Sequence, residues 1–354
     1  MTGTDLLALT EELCAIPSVS GNEAVLADVV EARLREAGRG LTVERIGANV
    51  VARTNLGAER RVVLGGHLDT VPPKGNETPR RDGDVLHGIG TADMKGGLAV
   101  LLALAAAAGA TRPRHDVTFI FYEGEEIAEE FNGLRRLFAE RRDLVEGDLA
   151  VLLEPTGGWV EAGCQGTVHV RATFDGLAAH SARPWMGVNA IHRVAPLLAR
   201  IAAFEPETVD VDGLAYRESL QVVRIEGGHA NNVVPDRCAV VLNRRFAPSR
   251  TIDEVVERLG VLCADADRME VLNASPPAPP NLWDPLVAEL VGVHDLPVRP
   301  KLGWTDVARF AAHGIPALNL GPGDPELAHT PDERVERIDL EHCAAVLAGF
   351  VGLA

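Results

Sequence analysis

The sequence predicts an α/β fold: a main domain with a central mixed sheet flanked by helices, interrupted by an inserted β-α-β-β-α-β module of ferredoxin-like order. Three observations carry that expectation. Short apolar runs end in histidine and carboxylate clusters, as core strands of an open α/β sheet do at their carboxyl ends. After Cys164 the pattern changes to apolar/polar alternation. A Pro-rich stretch, Ala274-Ser-Pro-Pro-Ala-Pro-Pro280, then reads as a linker back to the first texture. The main domain is therefore placed at 1–164 and 277–354, and the inserted domain at 165–276.

The elements follow in order. Leu6 to Ile16 and Glu23 to Ala37 carry apolar residues at helical spacing, the second opened by Ser20-Gly-Asn22 as a cap and closed by Gly38. Val62 to Leu64, Val117 to Tyr122 and Leu149 to Leu153 are core strands; they run into Gly-Gly-His67-Leu-Asp69, Glu123-Gly-Glu-Glu126 and Glu154-Pro155. Between the first two lies Gly96 to Ala110, mostly Ala and Leu, shorter than the roughly 20 residues that span a bilayer and so a buried helix. In the insert, Thr167 to Phe174, Ser219 to Ile225, Cys238 to Phe246 and Met269 to Leu272 are strands, with helices over Val188 to Ala203 and Ile252 to Cys263.

Composition narrows the function. With 354 residues, 46% of them hydrophobic, the chain has material for a sizeable core. Its 34 Lys and Arg against 51 Asp and Glu give a net charge of −17, which argues against nucleic acid or an anionic membrane as partner. An anionic substrate would have to be attracted locally. Five widely spaced cysteines without a CxxC pair, and no basic residue before Arg33, point to a reducing cytoplasmic setting without a signal peptide. No GxSxG elbow or P-loop occurs, and Gly88-x-Gly90 lacks the third glycine of a dinucleotide loop because Asp93 stands there.

Candidate chemistry collects at His67, Asp69, Asp93, Glu125, Glu126, Glu154 and His329, the last in the loop Gly321-Pro-Gly-Asp-Pro-Glu-Leu-Ala-His329. Singly, each reads as well as a cap or a satisfied polar residue. Together, histidine and carboxylates without cysteine form the donor set of catalytic zinc and related divalent ions. The i, i+2 spacing of His67 and Asp69 suits a carboxylate that accepts the second imidazole N–H and fixes the ring. Adjacent Glu125 and Glu126 point in different directions, so one can bind metal while the other acts as a base, although Glu129-Glu130 also fits an exposed acidic turn.

Gly65-Gly-His67-Leu-Asp69, Gly90-Thr-Ala-Asp93-Met-Lys-Gly-Gly97, Glu123-Gly-Glu-Glu126 and Leu153-Glu154-Pro-Thr156, with ligand candidates 26, 33 and 28 positions apart, resemble the M20 family of di-zinc peptidases and deacylases along essentially the whole chain. The resemblance implies a zinc-aminopeptidase-like main domain and an inserted lid and dimerisation domain. It makes Asp93 the bridge between two Zn2+ ions per subunit, for which Co2+ can substitute, with His67 and Glu154 completing one and Glu126 and His329 the other. Glu125 becomes the general base, and a cis peptide is implied after Asp93. His180, in His180-Ser-Ala-Arg-Pro184, resembles the lid histidine that reaches the partner subunit's site in a homodimer. Further segments, among them Gly228-His-Ala-Asn231-Asn232, Asn243-Arg-Arg245-Phe246 and Gly303-Trp-Thr305-Asp306, imply that Asn231, Asn232 and Arg245 hold the acyl group or its carboxylate. Thr305, Gly321 and Gly323 would line the pocket. The implied activity is amide hydrolysis of a small N-acyl amino acid, with N-succinyl-LL-2,6-diaminopimelate favoured over N-acetylornithine. A non-catalytic metal-binding or amino-acid-binding relative is the alternative of another class, which the intact Glu125 argues against.

Overall fold

A computed structural model describes residues 4–38 and 40–353 and divides the chain into two compact units. The first comprises 1–162, 281–299 and 309–354; the second comprises 163–280 and 300–308. The Pro-rich stretch belongs to the second unit, since Ala278 pairs with Cys164 and strand Arg268–Ser275 runs into it. The return of 300–308 to that unit has no signal in the sequence pattern.

In the first unit an eight-stranded mixed sheet has the order Thr42–Ile46, Asn49–Arg53, Asp116–Tyr122, Arg61–His67, Leu149–Leu152, Ala317–Asn319, Val160–Ala162, Val298–Pro300. Arg61–His67 lies at its centre, parallel to both neighbours, with His67 beside Tyr122 and Gly65 beside Leu152. That register brings the segments carrying His67, Glu125 and Glu154 to one end of the sheet, where strand order switches and sites form in open α/β sheets. Helix Gly96–Ala110 spans the range its composition predicts; eleven of its fifteen residues are buried, as a core helix requires.

The first two helices run Leu6–Cys14 and Ala24–Glu36. The cap expected of the second is not observed: Glu23 is the N-cap residue and makes no side-chain capping bond, while Ser20 Oγ donates instead to Asp69 at 2.7 Å. A three-stranded sheet, Arg334–Glu336, Val85–His87 and Arg80–Asp82, sets the segment before Arg334 against the Gly88–Asp93 turn.

The second unit holds the β-α-β-β-α-β order. Its antiparallel sheet runs Ser219–Gly227, Arg237–Phe246, Gly166–Asp175, Arg268–Ser275. Helices Ala190–Ala202 and Ile252–Leu262 cover one face, around Val168, Val170, Val194, Leu197, Leu242 and Leu259. A hairpin, Thr208–Val211 with Leu214–Arg217, adds to the expected elements. All five cysteines are buried free thiols.

Candidate metal centre and active site

The site grows from strand ends. His67 is the last residue of its strand and 1% exposed, with Nε2 3.0 Å from Asp93 Oδ1. Asp93 turns its other oxygen to His329, whose Nε2 lies 3.1 Å from Asp93 Oδ2 and 2.7 Å from Glu126 Oε1. One carboxylate thus stands between two imidazoles, one oxygen toward each. Ligand atoms of His67, Asp93 and Glu126 lie within 4.8 Å of one another, close enough to share an ion. Glu154 follows strand Leu149–Leu152, is 7% exposed, and its charge acts on His67. The peptide Asp93-Met94 is cis.

Electrostatics show which charge this cluster attracts. Burial alone would lower the pKa of His67, but hydrogen bonds with Asp69 and Asp93 hold it well above the usual imidazole range. Hydrogen bonds to Asp93 and Glu126 raise His329 to about 10, and the same rings hold Asp93 far below the carboxylate range against the cost of burial. Protons on the rings here supply positive charge that the carboxylates demand. A divalent cation supplies more of it from the same place, displacing those protons as metal binding to histidine does. The donor set fits zinc: neutral imidazoles and carboxylates with no thiolate.

Asp69 meets His67 with its main-chain carbonyl as well as with the carboxylate the spacing suggests. His67 Nδ1 lies 2.9 Å from the backbone carbonyl of Asp69 and 3.5 Å from its carboxylate. The carboxylate also accepts the backbone N–H groups of Glu125 and Glu126, each at 3.0 Å, and the Ser20 hydroxyl. Burial would raise its pKa, yet His67 and these donors hold it at about 2. Asp69 therefore fixes the His67 ring through its main chain and the two glutamates through its side chain. Gly124 makes the sharp entry to that pair: its φ is +68°, and a Cβ there would meet the Phe131 carbonyl at 2.4 Å.

Several supporting residues carry no motif of their own. Glu333 is buried and accepts the N–H groups of Ala92 and Asp93 with one oxygen, each at 3.0 Å; burial, then the charge of Asp93, push its carboxyl up to about 7. Lys74 Nζ donates to the His329 carbonyl at 2.7 Å, and Asn76 to that of Thr330 at 3.1 Å. His329 sits at φ +62°, an uncommon backbone state for a residue with a side chain. Buried Lys95 bonds the Ile16 carbonyl at 2.7 Å. Two of only three lysines thus brace this region.

Other expected pocket residues take these places. Gly321 is packed so closely on the Leu153 and Glu154 carbonyls that a Cβ would approach them at 2.3 and 2.4 Å, and its N–H is taken by Thr156 Oγ1 at 3.2 Å. Gly323 has φ +87°, and its carbonyl accepts the Gly157 N–H. In the second unit His180 is exposed on a two-residue strand against Val233, its Nδ1 accepting the Ala182 N–H at 3.0 Å. Asn232 is tied to the same strand through Ser181, and Asn231 beside it is exposed. Arg245 is half-buried and makes no ion pair among the described residues, and Thr305 is buried.

Fold and site define a class, and comparison with known proteins agrees. Residues 63–352 match the peptidase family M20/M25/M40, and the chain belongs to that family. It is 47% identical over 349 residues, covering 98% of each, to a putative succinyl-diaminopimelate desuccinylase of Mycobacterium tuberculosis. It is 44% identical over 354 residues to the succinyl-diaminopimelate desuccinylase of Corynebacterium glutamicum, covering 98% of this chain and 96% of that one. Among solved structures, a Staphylococcus aureus tripeptidase superposes with a TM-score of 0.79 at 22% identity, over 98% of this chain and 97% of that one. An M20 metallo-carboxypeptidase from Sulfolobus solfataricus gives 0.79 at 17%, covering 99% of both; these two share the fold.

Proposed function

We propose that the chain is a zinc-dependent amidohydrolase that cleaves N-succinyl-LL-2,6-diaminopimelate to succinate and LL-2,6-diaminopimelate. The observation that carries the metal-dependent reading is Asp93 standing between His67 and His329, with Glu126 and Glu154 beside them. Full-length similarity to desuccinylases supports the substrate. His67, Asp93 and Glu154 would hold one Zn2+, and Asp93, Glu126 and His329 a second. When bound, two such ions lower the pKa of a water and polarise the scissile carbonyl.

The chain's own residues supply the rest. Glu125, placed by the Asp69 bond to its N–H, accepts the proton of the attacking water and passes it to the leaving amine. Asp69 keeps Glu125 and Glu126 at a fixed spacing through consecutive N–H bonds. Arg245, which makes no ion pair among the described residues, pairs with the succinyl carboxylate, as a guanidinium fork does well, and Asn231, Asn232 and Thr305 orient the acyl group. Dimerisation through the second unit would let His180 of the partner subunit donate to the oxyanion that develops on the carbonyl. Its edge strand Ser219–Gly227, with Val223 and Ile225 exposed, offers a surface for that contact.

The test is kcat/KM for N-succinyl-LL-2,6-diaminopimelate against N-acetylornithine, with zinc added. Preference for the succinyl compound is expected. Preference for the acetyl compound would replace the substrate and leave the metal centre standing.

A further inference from the structure

The second unit contains a buried charge cluster built from different residues. Along strand Arg237–Phe246, Arg244 falls on the face of Leu242 and Phe246 and is 7% exposed. Its Nη2 bonds the fully buried Glu218. The same carboxylate accepts Arg250 Nε at 2.7 Å and the Ala247 N–H at 3.0 Å, so one negative charge serves two guanidiniums. The Arg244 guanidinium lies 4.9 Å from the centre of the Phe204 ring, and its Nη1 is buried with no hydrogen-bond partner. Such an N–H is rare in folded proteins and marks a place where an acceptor is wanted.

Beside it is a cavity of about 160 Å³, near five waters at roughly 30 Å³ each. Leu220, Val255 and Leu259 give it apolar walls, and Arg244, Arg250 and Arg258 line it with positive charge. Glu207 is the acid among the lining residues and is bonded to Arg250, while exposed Arg258 makes no ion pair among the described residues. Three cations line it against Glu207, with Glu218 behind two of them, which leaves one net positive charge in a chain of net charge −17.

We propose that this cavity binds a small organic anion, its carboxylate between Arg244 and Arg258 and its short hydrocarbon chain against Leu220, Val255 and Leu259. A guanidinium offers a carboxylate two parallel donors, and Arg244 has one already engaged and one without an acceptor. The site is separate from the amide-hydrolysis centre and does not depend on the substrate assigned there.

The test is calorimetric titration of the full-length, zinc-loaded protein with sodium hexanoate, with hexylammonium chloride and sodium chloride as controls at equal ionic strength. Hexanoate is expected to bind one per chain and the controls not. Arg258→Ala should weaken hexanoate about tenfold or more, as loss of a charge-assisted bond does. Leu262→Trp, which fills the cavity from its half-buried rim, should abolish binding. Both variants should keep their hydrolytic rate without hexanoate. No binding beyond the controls, or hexanoate binding equally well in both variants, overturns the proposal.

Discussion

At the sheet ends of the first unit, Asp69, Asp93, Glu126 and Glu154 surround two imidazoles, whereas in the second unit Glu218 faces the guanidiniums of Arg244 and Arg250, with Glu207 also bonded to Arg250. His67 and Asp93 in the first cluster and Arg244 and Glu218 in the second are buried, and burying unbalanced charge is costly. In the first, carboxylates outnumber the cations the chain supplies, and the deficit is met by protons on His67 and His329 or by metal. In the second, the cations are permanent, and with Arg258 they exceed Glu218 and Glu207 by one; an Arg244 donor rather than an acceptor is left unmet. Type of side chain, more than burial, decides which ligand each region attracts.

Variants of the two regions should therefore behave differently. Glu125→Gln removes the proton carrier without removing a donor to metal. Its kcat should fall about 10²- to 10⁴-fold with zinc content unchanged, checked by steady-state kinetics beside metal analysis. Glu218→Ala leaves the buried Arg244 guanidinium unpaired and removes one of the two acids on Arg250, and should cost about 3–5 kcal/mol of stability in the second unit, which added zinc does not restore in denaturant titrations. Zinc itself should stabilise the wild type by about 2.7 kcal/mol at a hundredfold excess over its dissociation constant, and Asp93→Asn should erase most of that gain in thermal melts.

Smaller effects sharpen the same contrast. Glu333→Ala frees the N–H groups that fix Asp93 and should weaken zinc about 10- to 100-fold in a chelator competition, whereas Arg258→Ala should leave zinc affinity untouched. Smallest is a pH effect remote from both clusters. Burial would raise the pKa of Asp116, but bonds from Leu56 N–H, Thr54 Oγ1 and Ala58 N–H, with nearby Arg61, hold it below the usual carboxylate value. A lowered carboxyl stabilises the fold above its unfolded pKa, near 3.9, and loses that contribution as pH falls through the folded value. Asp116→Asn should cost about 1 kcal/mol at pH 7 and converge on wild type in the acid limb of unfolding curves measured without zinc.

The parts of this account legible in the sequence are those written locally. Gly96 to Ala110 is apolar throughout, and the strand ends at His67, Glu126 and Glu154 carry their donors within a few residues of an apolar run. The supporting contacts are long-range and leave no pattern: Lys74 reaches across 255 positions to His329, and Glu333 across 240 to Asp93. Ser20 illustrates the limit. Its neighbours Gly21 and Asn22 read as a helix cap, but a buried carboxylate with room for a third donor claims its hydroxyl. The hairpin Thr208–Arg217 was hidden because its strands are only four residues each, and of its inward side chains Val209, Val211, Leu214 and Tyr216 only Tyr216 is fully buried.

The central claim is that His67, Asp93, Glu126, Glu154 and His329 form a metal centre on which hydrolysis depends. The most direct measurement is a zinc titration of chelator-stripped protein, with bound metal and cleavage of N-succinyl-LL-2,6-diaminopimelate followed in the same samples. The account predicts no cleavage at zero zinc, activity rising with occupancy to two ions per chain, and neither in Asp93→Ala. Full cleavage by the stripped protein, or zinc-dependent cleavage retained by Asp93→Ala, would contradict it.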